Sequence, residues 1–321
     1  MKIGDLKLER KRSIKKIIFV VGPTAVGKTE VAVSLAKKIK GEIISCDSMQ
    51  VYKEVRIASN KPSEADLREV PHHLLDVVSV EEEFDVAAFR RMALEAMAGI
   101  LKRNKIPLIV GGSGLYLQVL LDGIFTGPSR DEKLRKELEA QAKSDGREAL
   151  YAQLKKVDPK SAEKIHPHDL RRIIRALEVA LTTHSLISTL QEERDGLWGK
   201  YDIQIFALNR PRERLYELIN TRVDVMFKEG IVLEIQELLA KPWSHTAESI
   251  IGVKEIRSFL NGEIDLERTK YLMKLKTRHF AKRQLTWFRA EERLKWIMIN
   301  EDQPLSEVTQ LIEKEIAIDR D

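Results

Sequence analysis

The chain has 321 residues, 43% of them hydrophobic and 33% charged. That is enough for one large domain or two ordinary ones with a buried core. Its single cysteine, Cys46, excludes an internal disulfide, no run approaches the roughly 20 apolar residues of a membrane span, and the net charge of +5 is modest.

The basic segment Met1–Lys16 is not followed by a signal-type core and cleavage site. With one cysteine, this makes the cytoplasm the expected compartment. The first strand is predicted at Ile17–Val21, an unbroken apolar run. Gly22-Pro-Thr-Ala-Val-Gly-Lys-Thr29 follows, a match to G-x-x-x-x-G-K-[ST], and then a helix over Thr29–Lys40. Strand, glycine loop and helix form the context in which this motif cradles phosphates. Backbone N–H groups turn inward, and the helix N-terminus adds partial positive charge. Lys28 adds a full charge, and the Thr29 hydroxyl is the usual magnesium (Mg2+) ligand. The chain is therefore expected to bind a polyphosphate through Gly22, Pro23, Thr24, Ala25, Val26, Gly27, Lys28 and Thr29.

A short strand at Glu42–Cys46 ends at Asp47. Residues Asp85–Arg103 carry apolar side chains at helical spacing, and Ile106–Val110 is a strand closed by Gly111 and Gly112. The next helix begins near Ser113. Strands alternating with helices predict an α/β fold, a doubly wound parallel sheet. The carboxyl ends of such strands share one crevice. Asp47 should then face Lys28 across it, placed to hold magnesium or to accept a proton. Adjacent residues diverge in helix and strand alike, so His72-His73 reads as loop packing rather than a metal pair. No Cys/His spacing reads as a zinc site.

Gly123 to Pro128 is a predicted break. From Ser129 to about Gly199 only charged amphipathic helices are predicted, with turns at Ser144–Gly146, Asp158–Pro159 and His166–Asp169. The expected organisation is a core of 1–126 and 200–321 with an all-helical insertion at 127–199. Tyr201–Leu208 looks like a return to the sheet. Pro211–Ala240 and Ile264–Arg289 are predicted helices, Lys295–Ile299 a last strand, and a terminal helix follows Pro304. Arg268 to Arg289 holds eight Lys/Arg residues and no acid, interleaved with Phe280, Trp287 and Phe288. Bases mixed with aromatics make up nucleic-acid surfaces. Cys46, Trp198, Trp243 and Trp296 are expected in packing roles.

Five blocks in order resemble the hallmarks of tRNA dimethylallyltransferases: Ser45-Cys-Asp-Ser-Met-Gln-Val-Tyr52, Pro71-His-His-Leu-Leu-Asp76, Gly111-Gly-Ser-Gly-Leu-Tyr116, Asp169-Leu-Arg-Arg-Ile-Ile-Arg-Ala-Leu-Glu178 and Ala281-Lys-Arg-Gln-Leu-Thr-Trp-Phe-Arg289. The similarity runs from about Ile17 to Arg289. It implies a P-loop NTPase-like core that transfers the dimethylallyl group of dimethylallyl diphosphate to N6 of the adenosine just 3′ of the anticodon. Lys28, magnesium at Thr29 and the Thr24 hydroxyl would then neutralise the leaving diphosphate. Asp47 would take a proton from N6, with Ser48, Met49 and Gln50 lining the adenine pocket. Arg212 and Arg222 would reach toward the diphosphate.

The same resemblance implies tRNA contacts at Ser113, where Thr is more usual, and at Arg171, Arg172, Ile173, Ile174 and Arg175. Arg135 is a weaker member of that group. Gly252 and Lys254 belong with them; the family usually has Tyr where this chain has Val253. Lys282, Arg283, Gln284, Trp287 and Arg289 would clamp the anticodon stem-loop, with Trp287 divided between clamp and core. The expected partners are tRNA and dimethylallyl diphosphate, with no membrane, and the expected state is a monomer. Three other readings stay open: a prenyltransferase acting on free adenine nucleotides, a P-loop small-molecule kinase with Asp47 as base, and a nucleotide-gated RNA-binding module.

Overall fold

Lys16–Val21 forms strand β1, buried from Ile17 onward. A strand apolar on both faces belongs in the middle of a parallel sheet. In the computed structural model the described residues are 15–124, 131–183, 185–190 and 194–318. Most of the basic N-terminal segment and residues 125–130 of the predicted break lie outside them. The chain divides into two compact units, Met1–Gln118 with Trp198–Asp321, and Val119–Leu197.

In the first unit β1 leads through the glycine loop into α1 (Lys28–Ile39), then β2 (Gly41–Cys46). Next come α2 (Glu64–Glu69), β3 (His72–His73), α3 (Val86–Lys102), β4 (Ile106–Gly111) and the start of α4 (Gly114–Leu121). The six-stranded sheet has the order β3-β2-β4-β1-β5-β6 and is parallel throughout. Here β5 is Asp202–Asn209 and β6 is Lys295–Met298. Val21 of β1 and Cys46 of β2 both lie opposite Gly111 of the intervening β4. The chain therefore leaves the sheet at Gly22, Asp47 and Gly112 on three neighbouring strands. At a strand spacing of about 4.8 Å, these exits share one short stretch of the sheet's edge.

Helix α1 buries Val31, Ala32, Leu35 and Ala36. They join Ile18, Val20 and Leu108 of the sheet in one core with Val308, Ile312 and Ile316 of the terminal helix α14 (Leu305–Ile318).

The structure corrects three expectations. His72-His73 is a short edge strand beside β2, not a loop: His73 Nε2 lies 2.8 Å from Glu42 Oε2, and His72 Nδ1 lies 2.8 Å from the Val70 carbonyl. The stretch 211–240 is two helices, α10 (Arg212–Lys228) and α11 (Ile231–Leu238), because Gly230 turns left-handed at φ 96°. Trp198 and Trp296 are 46% and 40% exposed rather than packed away. Trp243 is half-buried and donates its indole N–H to the Leu238 carbonyl at 2.9 Å.

The second unit is helical: α5 (Glu132–Ser144), α6 (Arg147–Val157), α7 (Pro159–Lys164), α8 (Leu170–Thr183) and α9 (Ile187–Leu190). Asp131 and Asp158 cap α5 and α7 through their side chains. Leu138, Leu150, Leu154, Ile173 and Leu177 form its core. Glu178, fully buried on α8, accepts from Arg135 at 2.9 and 2.8 Å, from Arg175 at 2.7 Å and from the Asp131 N–H at 2.8 Å. Burial would push its carboxyl up, but the two arginines hold it at about 2. Later in the first unit come α12 (Val253–Leu260) and α13 (Leu266–Arg289).

Candidate active site

The glycine loop bends tightly, with Ala25 at φ 67° and Gly27 at φ 108°. It walls one side of a cavity of about 430 Å³. Thr24, Lys28, Thr29, Asp47, Gln50 and Arg222 all line it. Gly22, Pro23 and Val26 shape the loop from behind. The Pro23 carbonyl accepts from Lys28 Nζ at 2.7 Å, and the Val26 carbonyl accepts from Arg210 Nε at 3.2 Å.

Arg222, on α10, donates to Thr24 Oγ1 at 3.0 Å. Burial lowers its pKa. Burial, followed by the Arg222 charge, drives the Lys28 ammonium down to about 7, against the pull of Asp47. Two half-buried cations beside a loop of inward N–H groups create an electrostatic demand for an anion. Arg212 does not share the cavity; it is exposed and lies 5.2 Å over the Tyr216 ring.

Asp47 caps the turn that leaves β2, accepting from the Met49 N–H at 2.9 Å. Burial pushes its pKa up, and the Met49 N–H and Lys28 oppose that shift. Ser48 and Met49 make the turn itself. Gln50 reaches the cavity wall, but both ends of its amide are engaged: Ser45 Oγ donates to it at 2.9 Å, and it donates to the Asn60 carbonyl at 2.9 Å. Asn60, Lys61 and Ser63 complete this wall, and sequence reasoning missed them. Their signal is faint, a polar loop with no motif. Ser113 starts α4 with its N–H on the Cys46 carbonyl at 3.3 Å, which sets it beside Asp47. Cys46 is buried, and burial pushes its thiol far up.

Helix α13 divides into two faces. Ala281, Gln284 and Phe288 are buried, while Lys282, Arg283 and Arg289 are exposed. Lys282, Arg283 and Trp287 line a shallow groove with His279 and Thr286. Their i+3, i+4, i+7 and i+8 spacing from His279 is the signature of one helix face. The Trp287 ring lies so close to Gly114 that a Cβ there would fall 2.1 Å from it. Trp287 thus packs on α4 and lines the groove at once. Three bases of the run are neutralised locally: Lys270 by Glu267 at 2.8 Å, Lys274 by Asp224 at 2.6 Å, and Lys276 by Glu255.

Several expected tRNA contacts are placed elsewhere. Gln284 points inward to the wall of the cavity rather than to the exposed face of α13, and each end of its amide makes a bond inside the protein. Gly252 is a buried N-cap of α12 at φ 109°, pressed against Met273. Val253 is fully buried, so the residue that departs from the family pattern is a core residue here. Lys254 is exposed. In the helical unit Ile173 and Ile174 are core, and Arg135 and Arg175 serve Glu178. Arg171 and Arg172 remain exposed on α8.

Among the described residues no group of three or more His, Cys, Asp or Glu side chains is set to hold a metal ion. Thr29 and Asp47 nonetheless bring oxygen donors to one cavity. That set suits magnesium when the remaining ligands are phosphate oxygens and water. No helix among the described residues is long and apolar enough to cross a membrane.

Comparison with known proteins places this geometry. Residues 50–291 match the family model described as IPP transferase. A tRNA dimethylallyltransferase of Halothermothrix orenii is 40% identical over 287 residues, 88% of each chain. The full-length tRNA isopentenylpyrophosphate transferase of Bacillus halodurans superposes with a TM-score of 0.69 at 38% identity, covering 94% of this chain and 97% of that one. A eukaryotic dimethylallyltransferase, solved acting on tRNA, reaches a TM-score of 0.81 at 30% identity over 96% of this chain and 80% of its own.

Proposed function

The chain belongs to the IPP transferase family and is a transferase, and on that footing we propose that it moves the dimethylallyl group of dimethylallyl diphosphate to N6 of the adenosine 3′-adjacent to the anticodon of tRNA. The observation that carries this reading is the pairing of two half-buried cations with one carboxylate around a single cavity.

The glycine loop, Lys28 and Arg222 grip the diphosphate, and the Thr24 hydroxyl, already accepting from Arg222, turns its own proton toward it. N6 attacks the allylic carbon as the carbon–oxygen bond breaks. The electron pair leaves with the diphosphate, where Lys28 and Arg222 meet the growing charge. Asp47 accepts the N6 proton; burial makes its carboxylate a stronger base than a solvated one. Magnesium, held by Thr29 and the diphosphate, would add further positive charge at the leaving oxygens.

The target base must leave its stack to enter the cavity. The exposed face of α13 and Arg171 and Arg172 of the helical unit hold the surrounding RNA, mainly by its phosphates. Ser113 sits at the threshold beside Asp47. The unit Val119–Leu197 is taken as the RNA-binding insertion and the protein as a cytoplasmic monomer.

The test is incubation of purified protein with unmodified tRNA, dimethylallyl diphosphate and magnesium, followed by mass analysis of the nucleosides. Isopentenyladenosine is the expected product. Parallel reactions with AMP and with ATP separate the free-nucleotide and kinase readings. Phosphorylated product without any prenylated RNA would overturn the proposal.

A further inference from the structure

Gln284 lies on the same helix as the exposed bases but faces the other way, only 6% exposed. Its Oε1 accepts from the Thr24 N–H at 2.9 Å, and its Nε2 donates to the Gly112 carbonyl at 2.9 Å. One carboxamide thus ties together α13, the glycine loop after β1 and the exit of β4. The fit is close on all sides. A Cβ at Gly112 would fall 2.1 Å from Gln284 Nε2 and 3.2 Å from the Gly22 carbonyl. Because the amide is bonded at both ends, it cannot swing aside to admit one. Thr24 is meanwhile held from its other side by Arg222 through Oγ1. The start of the phosphate loop is therefore pinned by its backbone to α13 and by its side chain to α10.

We propose that Gln284 is a positioning residue for the diphosphate cradle, setting the shape of the glycine loop from the buried face of α13 rather than touching RNA. This deepens the diphosphate reading and rests on it. Gln284 lines the same cavity as Thr24 and Lys28, but one bond of its Oε1 and one of its Nε2 hold the backbone of Thr24 and Gly112, and the positioning effect passes through those two bonds. Replacing the amide by an apolar group frees the Thr24 N–H and leaves the Gly112 carbonyl unmet in a buried place. The loop then spreads over more conformations, and part of the binding free energy is spent on reordering it.

The test uses the full chain and two probes, magnesium pyrophosphate by calorimetry and an unmodified anticodon stem-loop RNA by fluorescence anisotropy. Gln284→Met should weaken pyrophosphate about tenfold, the worth of one hydrogen-bond pair, and leave RNA affinity within about twofold. Gly112→Ala, which pushes on the same amide from the other side, should reproduce that split. Gln284→Glu can still accept from Thr24 but brings negative charge to an anion site, and should weaken pyrophosphate more than Met does. Melting curves check that each variant is folded.

Loss of RNA affinity with pyrophosphate unchanged would make Gln284 an RNA contact and overturn the proposal. So would unchanged affinity for both probes, or proportional loss of both in step with melting temperature. A wild-type protein that binds no pyrophosphate would bring down the functional reading, and the proposal with it.

Discussion

The pKa of Lys28, at about 7 in the free protein, has a measurable consequence. A bound pyrophosphate surrounds the ammonium with negative charge and returns it toward the ordinary lysine range, so binding takes up a proton wherever the free protein has lost it. Below pH 7 Lys28 is already charged, and this group adds little pH dependence. Above pH 7 affinity falls, by about fivefold over the first pH unit and about tenfold over each one after it, as the protonated fraction of the free protein does. From pH 7 to pH 9 that fraction drops from about one half to about one hundredth, so pyrophosphate should bind about fiftyfold more weakly. Calorimetric titrations across this range, in wild type and in Lys28→Met, give the assay. The ligand's own ionisations are common to both proteins, so the ratio of affinities reports Lys28 alone. Buffers of different ionisation enthalpy count the protons directly, and wild type should take up nearly one more than Lys28→Met above pH 8. A ratio that stays constant from pH 7 to pH 9 would refute the reasoning, as would equal proton exchange by the two proteins.

Three further outcomes are expected. Asp47→Asn should keep RNA affinity while slowing single-turnover prenyl transfer by on the order of 10²–10⁴; normal transfer by that variant would remove Asp47 as base. Stem-loop binding should weaken steeply with salt, and replacing Lys282, Arg283 and Arg289 together by Ala should lower the slope of log affinity against log salt by about two to three units; an unchanged slope would clear the exposed face of α13 of phosphate contact. Glu178→Ala removes the buried carboxylate that Arg135 and Arg175 share and should destabilise the helical unit by about 3–5 kcal/mol; denaturant unfolding that matches wild type would show the triad to be dispensable.

The predicted tRNA contacts around α8 show where sequence spacing ran out. Its apolar stripe, Ile173, Ile174 and Leu177, was legible as a buried face and is buried. The arginines beside it looked alike, yet Arg175 turns to Glu178 one turn along the helix while Arg171 and Arg172 face solvent. Helical period tells which side of an element is hidden, but it does not say which neighbour a long charged side chain will find. The exposed Trp198 follows the same logic: it lies under the Arg293 guanidinium, 5.1 Å away, a partner ninety-five residues distant in the chain.

The glycine loop, the parallel α/β sheet and the candidacy of Asp47 were all decided locally. A strand of buried apolar residues, a bend only certain residues tolerate and a helix start each have a sequence signature within a dozen positions. The position of Gln284 was not. Its partners lie 260 and 172 residues away, and an amide at helical spacing on a basic helix reads equally well as an RNA contact. Only the tertiary packing of α13, which buries Ala281, Gln284 and Phe288 on one face, brought that amide to the loop after β1 and the exit of β4, where its acceptor meets the Thr24 N–H and its donor the Gly112 carbonyl.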